Sequence, residues 1–217
     1  MIPGWHHWRG LYVITDAALA ADRDLATLVE LVLKGGARCV QYRDKGRDRQ
    51  RQRQEAEALA RLCRAQGVPL IVNDDAALAA EVEADGVHLG VGDGDIRRTR
   101  RLLGPHAVIG ASCYNRLDLA REAQEAGADY VAFGRFFPSS SKPEAVQAHP
   151  QLLSAARAEI RLPLVAIGGI TPQNGRALVR AGADMLAVIH GVFGEPDVCA
   201  AARAYAPCFD REEAPRP

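Results

Sequence analysis

The 217-residue chain lacks long hydrophobic runs: no stretch approaches the roughly 18 apolar residues of a membrane span. The first ten residues hold two Trp and two His but no apolar leader core, so a soluble cytoplasmic protein is expected. Excess charge is missing too. Lys plus Arg and Asp plus Glu both number 27, which leaves no long-range field to draw nucleic acid or an anionic membrane, so any phosphate binding must be local. The five cysteines (Cys39, Cys63, Cys113, Cys199 and Cys208) have no C-x-x-C or His-x-Cys spacing, which argues against zinc and a disulfide framework and for reduced, partly buried thiols. No Gly/Ser-rich or Pro-rich linker marks a domain seam. The G-x-G-x-x-G dinucleotide fingerprint, the P-loop spacing and a Ser-His-Asp arrangement are also absent.

What is present is a beat of eight short apolar runs. They are Leu11–Thr15, Cys39–Arg43, Val68–Val72, Gly86–Gly90, Ala107–Ser112, Tyr130–Gly134, Pro163–Gly169 and Met185–Ile189. Helix-length segments separate them, among them Leu25–Lys34, Arg47–Gln66, Arg116–Ala126 and Gln173–Ala181, and a long loop from Arg135 to His149 breaks the rhythm. Gly-Ala-Asp at 127–129 and 182–184, with Ala84-Asp85-Gly86 in the same style, reads as a helix C-cap feeding the next strand. Eight units of this kind, with strands apolar on both faces, predict an α/β fold: a single-domain (β/α)8 TIM barrel over residues 11–206, with an N-terminal extension (1–10) and a C-terminal tail (207–217). A doubly wound open sheet is the alternative, and the missing fingerprint counts against it.

A barrel places its chemistry at the carboxyl ends of its strands. Asp16, Arg43, Asp44, Lys45, Asn73, Asp74, Asp93, Ser112, Arg135, Ser139 to Lys142, Gly168, Gly169, His190 and Gly191 fall there. Asp74 and Asp93 follow consecutive runs, so they emerge side by side and can hold a divalent cation; the alternative is a helix-capping Asp74 or Asp75 and an Asp93 confined to a turn. Period-two alternation puts Arg43 and Lys45 on one side of the strand end and Tyr42 and Asp44 on the other, and two cations on one face suit a pyrophosphate. The hydroxyl-rich Phe136–Lys142 segment can wrap a phosphate or be merely a flexible loop. Gly168 and Gly169 let backbone amides approach a ligand, with Thr171 and Pro172 opening the next helix. His88 lies within its strand and reads as a barrel-interior residue. His190, after the last strand, reads more readily as a hydrogen-bonded structural residue than as a ligand.

Y-V-I-T-D (12–16), Q-Y-R-D-K (41–45), N-D-D (73–75), A-D-G-V-H-L-G (84–90) with Asp93, G-A-S (110–112), G-A-D-Y-V-A-F-G (127–134), P-S-S-S-K (138–142) and A-I-G-G-I (166–170) occur in one order. In these motifs the chain resembles the thiamine phosphate synthase family from about Leu11 to Phe193. The resemblance implies a Mg2+-dependent transferase that joins 4-amino-2-methyl-5-hydroxymethylpyrimidine diphosphate to 4-methyl-5-(2-phosphoethyl)thiazole by a dissociative substitution. Position by position it implies Asp74 and Asp93 as Mg2+ ligands. Gln41, Tyr42, Arg43, Asp44, Lys45, Asn73, Ser112 and Lys142 are implied at the pyrimidine diphosphate, with Arg43, Lys45 and Lys142 as the cations that act in catalysis. Ser139, Ser140, Ser141, Gly169, Ile189 and His190 are implied at the thiazole phosphate. The expected partners are small phosphorylated substrates, with no nucleic acid and no membrane; a homo-oligomer is allowed. Val91, Tyr114, Ser139, Ser141 and His190 depart from the family's usual Gln, His, Thr, Thr and Ser. A thiazole tautomerase of the same fold would need no pyrophosphate site, and a non-catalytic thiazole or thiamine phosphate sensor would not need both metal carboxylates. Retention of Arg43, Lys45, Asn73, Asp74, Asp93 and Lys142 together favours the synthase.

Overall fold

The computed structural model describes residues 8–20, 23–138 and 146–210. Eight parallel strands close into a barrel in chain order: β1 (Gly10–Ile14), β2 (Cys39–Tyr42), β3 (Leu70–Asn73), β4 (Gly86–Leu89), β5 (Val108–Tyr114), β6 (Tyr130–Gly134), β7 (Leu164–Ile167) and β8 (Met185–Val188). β1 pairs with both β2 and β8, which closes the sheet. Around the barrel run α1 (Ala17–Ala20), α2 (Leu25–Lys34), α3 (Arg49–Ala65), α4 (Ala76–Glu81), α5 (Ile96–Leu103), α6 (Leu117–Ala126), α7 (Gln151–Glu159), α8 (Pro172–Arg180), α9 (His190–Phe193) and α10 (Val198–Arg203). The eight apolar runs are the eight strands, and no described helix is long and apolar enough to cross a membrane.

Alternation along each strand builds two separate cores. Tyr12, Ile14, Cys39, Ile71, Val108, Tyr130, Ala132, Val165, Met185 and Ala187 fill the barrel interior. Leu11, Val13, Val40, Val72, Val87, Ile109, Val131, Leu164 and Leu186 join the layer between sheet and helices. Cys39, Cys63, Cys113 and Cys208 are buried, and burial pushes the Cys63 and Cys113 thiols up to about 12, so neither supplies a thiolate near neutral pH.

The Gly-Ala-Asp repeat does more than cap helices. The Asp129 backbone N–H donates to the Ile109 carbonyl at 2.7 Å while its carboxylate accepts from the Ile109 N–H at 2.7 Å, clamping the start of β6 to β5. Asp85 clamps Leu70 of β3 in the same way, and Asp184 clamps Leu164 of β7. At the first strand pair the equivalent residue is Arg38, whose N–H reaches Leu11 but whose side chain cannot accept.

Helix limits move by one or two residues from the sequence expectation because the caps decide them. Asp48 accepts from the Arg51 N–H, so α3 starts at Arg49 rather than Arg47. β1 takes in Gly10, and a 3-10 turn at Ala206–Phe209 continues the packed chain past residue 206. Arg176 binds the Pro207 carbonyl and the Cys208 thiol donates to the Pro172 carbonyl, which ties this turn to α8.

Candidate active site

At the carboxyl end of β3 and β4 the two expected acids meet. Asp75, not Asp74, takes the helix cap by accepting from the Leu78 N–H at 2.8 Å, which leaves the Asp74 carboxylate free for the barrel mouth. Asp74 has φ 62°, a left-handed conformation uncommon outside glycine and tolerated best by Asn and Asp. Its N–H donates to the His88 carbonyl at 2.8 Å, extending the β3–β4 ladder. Asp93 lies in a turn in which its carboxylate accepts from the Gly90 N–H at 3.0 Å, and from there it neighbours the Asp74 carboxylate. A Cβ on Gly90 would lie 2.4 Å from that carboxylate, so the turn requires glycine. The turn expected of Asp93 is present, and it is what carries the carboxylate towards Asp74.

The acids are electrostatically unequal. Burial would lift the Asp74 carboxyl, but hydrogen bonds from Lys45, Asp93 and Asn73 together hold it below the usual carboxylate range. Burial and the neighbouring Asp74 raise Asp93. Two carboxyl groups in contact need a shared proton or a cation between them, and two hard-oxygen donors are the protein contribution that Mg2+ takes beside water and phosphate. The residues therefore fit that ion. Among the described residues no three His, Cys, Asp or Glu side chains form a denser metal cluster.

Lys45 Nζ lies 2.5 Å from an Asp74 oxygen, and the Asn73 amide donates to the same oxygen at 2.7 Å. Arg43 faces the mouth and pairs with Asp16 at 3.3 Å, while its backbone N–H donates to the buried Thr15 hydroxyl at 2.9 Å. Gln41 is buried inside the barrel below them. Tyr42 and Asp44 are turned away from the mouth. The Tyr42 hydroxyl donates to Glu55 of α3 at 2.8 Å, and Asp44 pairs with Arg51 at 2.5 Å and accepts from the Gly46 N–H at 2.7 Å. Their side chains hold β2 against α3, on the side of the strand end away from Arg43 and Lys45, as alternation requires.

Gly168 and Gly169 are approached by the chain itself. A Cβ on Gly168 would lie 2.7 Å from Arg135 Cα, and one on Gly169 2.3 Å from the Pro138 carbonyl. The Phe136 and Phe137 N–H groups donate to Ile167 and Gly168, so the segment after β6 lies directly on the end of β7. The Ala148 N–H donates to the Arg135 carbonyl at 2.7 Å, bringing the far end of the long loop back to the same edge. Ser139, Ser140, Ser141 and Lys142 lie outside the described residues, between these two anchored ends. Thr171 and Pro172 open α8 as expected, and the Asn174 amide reaches the Gly169 carbonyl at 3.0 Å. Ile189 is half-buried beside the barrel interior, and His190 is exposed as the first residue of α9. Tyr114 is exposed at the end of β5 with φ 51°, and Val91 is exposed in the Gly90–Asp93 turn.

Sequence reasoning passed over the aromatic pair Tyr12 and Tyr130. Their hydroxyls meet 2.8 Å apart inside the barrel and connect Gln41 to His88 and Ser112. No local sequence signal marks the pair, because the space for the Tyr130 ring comes from Gly110 on the neighbouring strand, where a Cβ would lie 2.0 Å from that ring.

A family model described as thiamine monophosphate synthase matches residues 11–192. A thiamine-phosphate synthase from Nitrosococcus oceani is 52% identical over 209 residues, covering 96% of each chain. One from Thiobacillus denitrificans is 54% identical over 193 residues, covering 89% of this chain and 91% of its own. Among solved structures, thiamine phosphate pyrophosphorylase from Pyrococcus furiosus matches with a TM-score of 0.85 at 33% identity, covering 94% of this chain and 96% of that one. The acid pair, the cationic strand end and the glycine-opened seventh strand thus sit in a barrel shared along nearly its whole length with these proteins, and the chain belongs to the thiamine monophosphate synthase family.

Proposed function

We propose that the mouth of this barrel condenses 4-amino-2-methyl-5-hydroxymethylpyrimidine diphosphate with 4-methyl-5-(2-phosphoethyl)thiazole, releasing thiamine phosphate and pyrophosphate. The observation that carries the reading is the neighbouring carboxylates Asp74 and Asp93, with Lys45 paired to Asp74 and Arg43 at the same rim: a donor set for a cation next to two positive side chains. Bound Mg2+ would neutralise charge that develops on the departing pyrophosphate. Asp74 and Asp93 would hold it. Lys45, released from Asp74 when that oxygen turns to the metal, would move to the diphosphate, and Arg43 would grip it as a planar fork.

Breaking the C–O bond to the diphosphate leaves a methylene cation conjugated with the aminopyrimidine. The thiazole nitrogen donates its lone pair to that carbon, so the substitution needs no general base from the protein. Gln41, Asn73 and Ser112 would orient the pyrimidine. Ser139 to Ser141, Gly169, Ile189 and His190 would seat the thiazole phosphate, and Lys142 would approach the leaving group from the long loop. Positive charge placed where negative charge grows lowers the barrier more than it tightens ground-state binding.

The test is turnover at limiting Mg2+ in Asp74→Asn and Asp93→Asn, with circular dichroism to verify folding. Each is expected to lose at least about tenfold, equivalent to about 1.4 kcal/mol of barrier. Near-normal turnover in both variants would contradict the assignment.

A further inference from the structure

A continuous polar chain crosses the otherwise apolar barrel interior. Gln41 Nε2 donates to the Tyr12 oxygen at 2.7 Å, the Tyr12 and Tyr130 hydroxyls are 2.8 Å apart, the Tyr130 oxygen is 2.9 Å from His88 Nδ1, and His88 Nε2 is 2.9 Å from Ser112 Oγ. The rings are packed as well as bonded: Tyr12 meets Tyr130 edge-on at 78°, and His88 stacks on Tyr130 at 22°. The side-chain-free Gly110 leaves the space that the Tyr130 ring occupies. Polar groups so deep are costly unless each finds a partner, and an apolar filling would serve the barrel's stability as well.

A chain of single-proton hydroxyls has a direction. With Tyr12 accepting from the Gln41 amide, one arrangement satisfies the whole chain in a single direction: Tyr12 donates to Tyr130, and Tyr130 donates to His88 Nδ1. The imidazole then carries its proton on Nε2 and donates to Ser112, which leaves the serine hydroxyl proton for a ligand in the mouth. Burial pushes both phenols well above their ordinary range, so both remain protonated donors.

We propose that Tyr12, Tyr130 and His88 are positioning residues that fix the donor and acceptor pattern which Gln41 and Ser112 present to the aminopyrimidine ring. An aminopyrimidine edge has both ring-nitrogen acceptors and an amino donor, so a reversed serine hydroxyl or a flipped glutamine amide would confront it with the wrong pattern. The inference rests on the pyrimidine assignment of Gln41 and Ser112 made above.

The experiment is a double-mutant cycle on steady-state kinetics, with the thiazole phosphate saturating. Tyr130→Phe and Ser112→Ala are each expected to raise KM for the pyrimidine diphosphate about fivefold or more, with KM for the thiazole phosphate unchanged. The double variant is expected to lie within about twofold of Ser112→Ala alone, because residues acting as one unit are not additive. Multiplicative effects, or a Tyr130→Phe enzyme with unchanged KM, would overturn the proposal while leaving the pyrimidine site standing. An unchanged KM in Ser112→Ala would instead overturn the substrate contact beneath it. Should Tyr130→Phe fail to fold, Tyr12→Phe removes the proton passed to Tyr130 and is expected to give the same pattern against Ser112→Ala; multiplicative effects there would overturn the proposal equally.

Discussion

Tyr42 and Asp44 flank Arg43 in sequence, and strand alternation sends them to the opposite side of β2, where α3 supplies Glu55 and Arg51. Tyr42→Phe is therefore expected to leave KM for the pyrimidine diphosphate within about twofold of the parent while lowering stability by about 1 kcal/mol for the lost hydrogen bond. Kinetics with urea unfolding check both; a large KM effect with unchanged stability would give the Tyr42 side chain a role in binding the pyrimidine diphosphate. The alternation itself was legible from Q-Y-R-D-K. The partners on α3 were not, because they depend on which turn of that helix faces β2. Asp74 shows the same limit: the sequence left the cap to either Asp74 or Asp75, and the backbone at φ 62° decides it.

Several helices hand over to the next strand through one residue in the left-handed region, with φ 98° at Gly36, 64° at Gly67, 91° at Gly127 and 121° at Gly182. After α4 the same place is filled by Glu83 at φ 51°, with the Ala84 N–H closing back on the Ala79 carbonyl. Glu83→Gly is expected to stabilise the protein by up to about 1 kcal/mol, since the Arg64 pairing it gives up is long and exposed. A higher urea midpoint with an unchanged m-value would verify this. The aspartate clamps make the opposite prediction. Asp129→Ala strands the buried Ile109 N–H and removes the ion pair with Arg100 at 2.5 Å, whose guanidinium keeps the Ala107 and Gly127 carbonyls, so a loss of about 2 kcal/mol is expected from the same unfolding measurement. Periodicity revealed the Gly-Ala-Asp repeat, but its role in stitching one strand to the previous one depends on the sheet register, which local pattern does not encode.

For the molecule as a whole, eight apolar runs and their spacing were enough to specify the closed barrel, because strands buried on both faces leave little alternative to a helix-covered parallel sheet. The acids and cations of the mouth were legible because a barrel gathers its strand ends at one rim. The buried chain from Gln41 to Ser112 was not, since five residues on five strands meet only once the barrel has closed. The central claim is a two-substrate transfer at that rim. The most direct measurement is simultaneous quantification of thiamine phosphate and pyrophosphate with the purified protein, the pyrimidine diphosphate and the thiazole phosphate, with and without Mg2+. Equal amounts of both products are expected, only when both substrates are present, with the rate collapsing when Mg2+ is chelated. Failure to form thiamine phosphate from the complete mixture, or an unchanged rate in chelator, would contradict the account.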